Sequence, residues 1–95
     1  MSIEDAFELI NNLDVPDGLR RRLAPQHSLI HINRKGEIAS VVRFKHSPSE
    51  GEQLDALNKA PRCVQIIGVP GMYATLPEFR SRIEESMFLF DHMKR

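Results

Sequence analysis

The sequence has one cysteine, Cys63, one tyrosine, Tyr73, and no tryptophan. A lone thiol cannot close an internal disulfide, so a reducing cytoplasmic setting is expected. Long apolar runs are missing too. Even Cys63 to Val69 is interrupted by Gln65 and Gly68 and falls well short of the roughly 20 residues that a membrane span needs. No basic-then-apolar stretch of the secretory kind opens the chain. Net charge is absent as well, because 13 basic and 13 acidic side chains cancel.

Signatures of catalysis are also lacking. His27 and His31 are four apart, which suits two metal ligands on a helix, but on a strand that spacing separates them by about 13 Å. Cys63 opens an apolar run and reads as a small buried hydrophobe rather than an activated nucleophile. Neither a metal, a cofactor nor an enzymatic activity is expected.

With 95 residues the chain is sized for one core, and residues 1–95 are expected to form a single α+β domain. Ser2 precedes Ile3, Ala6, Phe7, Ile10 and Leu13 at helical spacing, which predicts an amphipathic helix over 3–13. Asp14 and Pro16 repeat the start signal for a short helix over 15–23, stopped before Pro25.

From Ser28 the apolar period falls towards two, and Asn33-Arg34-Lys35-Gly36 supplies turn chemistry between strands at 28–33 and 37–45. Gly36 in a left-handed position would pair Asn33 with Glu37, Ile32 with Ile38, Ile30 with Ser40 and Ser28 with Val42. One face then carries Ile30, Ile32, Ile38, Val42 and Phe44. The other carries Leu29, His31, Ala39, Val41 and Arg43, and is too apolar to be fully wet. Either the N-terminal helices or a second copy should cover it.

Ser47-Pro48-Ser49-Glu50 reads as a capping box opening a helix over 48–59, and Cys63 to Val69 as a strand covered on both faces. Thr75-Leu76-Pro77-Glu78 is a second capping box. It opens a long C-terminal helix whose apolar stripe is Leu76, Phe79, Ile83, Met87, Phe90 and Met93. The expected order is α-α-β-β-α-β-α, with a mixed three-stranded sheet in the order 2-1-3. The crossover between strands two and three should make those two run in the same direction.

Although the total charge is zero, the signs are segregated. Glu4, Asp5, Glu8, Asp14 and Asp17 come first, followed by Arg20, Arg21, Arg22, Arg34, Lys35, Arg43 and Lys45 with only Glu37 among them. If these cations converge, they form a surface for an acidic protein or a nucleic acid, in a non-catalytic regulatory or inhibitory protein. No recognition helix and no stacking aromatics accompany them. A different class of function, a small-molecule, nucleotide or anion binder, would use the strand-to-helix junction at Gly68, Gly71, Tyr73 and Thr75. Phe88 and Leu89 fall off the final apolar stripe and are expected to be exposed, as the contact of a homodimer or a partner.

Overall fold

The computed structural model describes residues 1–11 and 27–93. Helix α1 spans Ile3–Asn11. Its start is set by Ser2, whose Oγ accepts the Asp5 N–H at 3.0 Å and so satisfies a donor that a helix start leaves open. Ala6 and Ile10 form its buried face. Positions 12 and 13 of the expected first helix, and all of the expected helix over 15–23, lie outside the described residues.

Strands β1 (His27–Ile32), β2 (Ile38–Phe44) and β3 (Val64–Gly68) form one sheet in the order β2-β1-β3. The order is the expected one, but the sheet is not mixed. β1 sits in the middle and is antiparallel to both neighbours. β2 and β3 therefore do run in the same direction, yet they never pair, and every ladder in the sheet is antiparallel.

The hairpin turn forms as its residues dictate. Gly36 takes φ +80°, its N–H donates to the Asn33 carbonyl at 3.0 Å, and the Asn33 N–H donates to the Glu37 carbonyl at 3.0 Å. Ile32 pairs with Ile38 as expected. Beyond that pair a bulge at Ala39 shifts the register, so that His31 faces Ser40, Ile30 faces Val41 and Leu29 faces Val42. The expected pairs Ile30–Ser40 and Ser28–Val42 do not form. The side chains of β2 therefore exchange faces: Val41 packs on the core, while Val42 and Phe44 look to the opposite side. Strict alternation would have sent Val41 away from Ile30 and Ile32, and the extra residue lets both Ile38 and Val41 reach them.

Helix α2 spans Glu50–Asn58 and begins later than expected. The capping box is Ser49 with Glu52, not Ser47 with Glu50. Ser49 Oγ accepts the Glu52 N–H at 3.2 Å, and Glu52 Oε1 accepts the Ser49 N–H at 3.1 Å. Two overlapping Ser-x-x-Glu spacings compete here. The second also lets His46 Nε2 reach the Glu52 carboxylate at 3.0 Å.

Helix α3 spans Leu76–Met93. Phe79, Ile83 and Phe90 are buried in the core and Leu76 and Met87 pack against it, so the stripe holds as far as Phe90. Thr75 Oγ1 accepts the Glu78 N–H at 3.3 Å, but the Glu78 carboxylate reaches back to Ala74 rather than to Thr75.

α1 and α3 cover the Ile30, Ile32, Val64 and Ile66 face, which holds the main core. Gly68 leaves room for the Ile30 side chain beneath α1. A Cβ at this position would lie 3.1 Å from Ile30 Cδ1 and 3.4 Å from Ile10 Cγ2. β3 is not covered on both faces: it lies at the edge of the order, and Ile67 is 40% exposed. The other face of the sheet carries α2. Among the described residues no helix is long and apolar enough to cross a membrane.

Candidate functional site

The hairpin turn is held from within and from behind. Asn33 Oδ1 accepts the N–H groups of Lys35 at 2.9 Å and Glu37 at 3.0 Å, while Asn33 Nδ2 donates to the Glu37 carboxylate at 3.3 Å. Behind the turn, a Cβ at Gly36 would be 3.7 Å from Met87 Sδ, and the Arg34 guanidinium lies 5.7 Å from the centre of the Phe90 ring. The turn is thus braced against α3.

Among the described residues the expected cations stand in two separate groups. Arg34 and Lys35 stand at the turn, whereas Arg43, opposite Ser28, and Lys45 belong to the far end of the hairpin. The length of β2 separates the two groups by about 20 Å. Arg20, Arg21 and Arg22 lie outside the described residues.

A cation that the sequence reading passed over joins the turn instead. Arg62, in the connection between α2 and β3, lines a shallow depression of about 250 Å³ together with Arg34, Lys35, Glu37, Asn33 and Pro61. Arg62 has φ 65°, the left-handed region that a residue with a Cβ rarely occupies. Among the described residues Arg34, Lys35 and Arg62 take part in no ion pair. The result is an exposed cationic corner assembled from two connections.

The 68–75 junction is organised differently from what an anion site requires. The Gly71 N–H donates to Asn11 Oδ1 at 2.8 Å, the Met72 N–H to the Val69 carbonyl at 2.9 Å and the Ala74 N–H to the Glu78 carboxylate at 2.9 Å. These donors are occupied, and one of their acceptors is an acid. Gly71, at φ +83°, supplies the reversal of the chain. The Tyr73 hydroxyl donates to the Ile67 carbonyl at 3.1 Å, and burial pushes its phenol up. Tyr73 also packs 5.3 Å from the Phe79 ring, ring centre to ring centre, and so acts as a strut.

A second concavity lies between α2 and the outer face of β2. It has a volume of about 270 Å³, with His31 and Ser40 at the sheet, Val42, Phe44, Ala56 and Ala60 as apolar walls, and Glu52, Asp55 and Lys59 completing its lining. His31, 1% exposed, is held at both ring nitrogens: Nδ1 is 2.9 Å from Ser40 Oγ and Nε2 is 2.7 Å from Gln65 Oε1. Gln65 Nε2 in turn donates to the Gln53 carbonyl at 3.1 Å. The Ser49 backbone N–H and then the His46 ring hold the Glu52 carboxyl below the usual carboxylate range. Asp55 is paired with Lys59 at 3.1 Å.

Phe88 and Leu89 are 69% and 44% exposed. No family model matches the chain, and no curated protein or solved structure is significantly similar to it.

Proposed function

We propose that this chain is a non-catalytic binding module whose cationic corner, Arg34, Lys35 and Arg62, docks on an acidic segment of another protein. The observation that carries the reading is the convergence of these three side chains on one depression with no ion pair among the described residues. The bracing of the turn supports it, because a guanidinium already stacked on Phe90 loses less freedom on binding. A positive φ at Arg62 is strain of the kind that persists where a side chain has to be presented. A protein that only docks acts by occupying its partner, which suits a regulatory or inhibitory role.

A protein partner is favoured over nucleic acid by the size and setting of the corner. Nucleic-acid affinity comes from neutralising many phosphates at once. Among the described residues only three cations converge, on a chain with no net charge and with Glu4, Asp5 and Glu8 on α1.

The test uses two labelled probes, an Asp/Glu-rich peptide and a duplex DNA, in fluorescence anisotropy with the wild type and with Lys35→Glu/Arg62→Glu. The expected result is saturable peptide binding that the variant weakens at least about tenfold and that falls as salt screens the contact. Equal peptide affinity in a folded variant would remove the corner from function. Tighter binding of the DNA would replace the protein partner with nucleic acid.

A further inference from the structure

The recess under α2 lies apart from the proposed docking corner and shares no lining residue with it. Its shape follows from the sequence of the helix above it. The residues that α2 and its C-terminal extension turn towards the sheet here are Ala56 and Ala60, while Leu54 and Leu57 are 62% and 36% exposed. A helix meant to close over the sheet would place its leucines inward. Small residues opposite Val42 and Phe44 instead leave the space open.

The hydrogen bonds at the bottom of the recess determine what it can recognise. Gln65 Nε2 donates to the Gln53 carbonyl, so Gln65 Oε1 is the atom left facing His31, and it can only accept. His31 Nε2 therefore carries the hydrogen. In the neutral ring Nδ1 is then an acceptor, and the Ser40 hydroxyl supplies its proton to it. The proton of Ser40 is thereby committed, and the lone pairs of its oxygen are what the recess offers. A ligand must bring an N–H or O–H donor. Among the lining charges Asp55 is paired with Lys59, which leaves Glu52, held in its ionised form by its own helix cap and His46, as the one not cancelled within the lining. The donor favoured by that field is a cationic one.

We propose that this recess binds a small organic amine, with an aromatic or branched apolar body between Phe44, Val42 and the two alanines and its ammonium group directed at Ser40 Oγ and the carboxylates. A volume of about 270 Å³ lies at the small end of ligand pockets and limits the body to about one ring.

The experiment titrates ¹⁵N-labelled protein with benzylamine, benzyl alcohol and benzoate, following amide shifts. Benzylamine should give saturable shifts centred on Ser40, Val42, Phe44, Ala56 and Ala60, with benzyl alcohol at least several-fold weaker and benzoate weaker still. Ala56→Leu fills the recess and should abolish these shifts while the fold is kept. Ala60→Leu, beyond the end of the helix, does the same should the first variant fail to fold. Ser40→Ala should weaken benzylamine about tenfold or less and leave benzyl alcohol less affected. Equal response to all three probes would overturn the amine class. Saturable shifts elsewhere, none at all, or binding retained in a folded filling variant would overturn the site.

Discussion

Arg62 combines a backbone cost with an exposed charge. At φ 65° its Cβ crowds the following carbonyl, a cost of roughly 1–2 kcal/mol that glycine does not bear. Arg62→Gly removes the strain and the guanidinium together, while the freer unfolded chain offsets part of the gain. The expected outcome is a denaturation midpoint equal to or above that of the wild type, with a weaker affinity for the acidic peptide. Arg62→Ala keeps the strain and should lose affinity without gaining stability. An unfolding free energy lowered by more than about 1 kcal/mol in Arg62→Gly would mean that the side chain holds the fold together. That result would take away the reason for assigning it a docking role.

Nothing in the local sequence marks Arg62 as a neighbour of Arg34 and Lys35, because only the return of the chain to the far edge of β1 brings them together. His31 was hidden in the same way. The alternation of its strand places it on the second face, but its partners Ser40 and Gln65 depend on a bulge and on a third strand. By contrast Gly36, Asn33, Phe88 and Leu89 behave as their own neighbourhoods in the chain dictate.

At the level of elements, helix stripes and turn chemistry were legible because each is settled within a few residues. The register of β2 was not, since one inserted residue exchanges every later side chain between faces and costs the sequence pattern almost nothing. The capping box of α2 shows the same limit on a smaller scale. Ser47 and Ser49 both satisfy the spacing, and the box that forms is the second, with His46 also bonded to its Glu52.

That cap carries a pH signature. The Ser49 N–H, and after it His46, lower the Glu52 pKa in the folded protein, so folding favours the ionised carboxylate. A carboxylate with a depressed folded pKa contributes stability above its unfolded value, about 4.3, and that contribution is lost as pH falls through the lower folded value. Stability of the wild type should therefore decline across this acid window. Glu52→Gln keeps a hydrogen-bonding side chain without the titration, and its decline should be shallower. Parallel acid limbs in urea denaturation of the two proteins would show that Glu52 does not contribute to the slope.

For the molecule as a whole, the two faces of the sheet are unequal. On one, α1 and α3 bury Ile10, Phe79 and Ile83 against Ile30, Ile32 and Ile66. On the other, α2 buries only Ala56, stands over a recess and is tied to β3 through the Gln65–Gln53 hydrogen bond. Burial of apolar area is the main favourable term in folding, so less free energy opposes lifting α2 away from the sheet than lifting α3, which would expose Phe79 and the isoleucines. Native-state hydrogen exchange should accordingly show α2 amides opening at a lower free energy than those of β1 and of the Phe79–Ile83 turn of α3. An amine seated in the recess binds only the closed form and should slow exchange in α2 more than elsewhere. If α2 instead exchanged only through global unfolding, together with β1, the helix would be an integral part of the core, and its small inward residues would reflect close packing rather than an opening for a ligand.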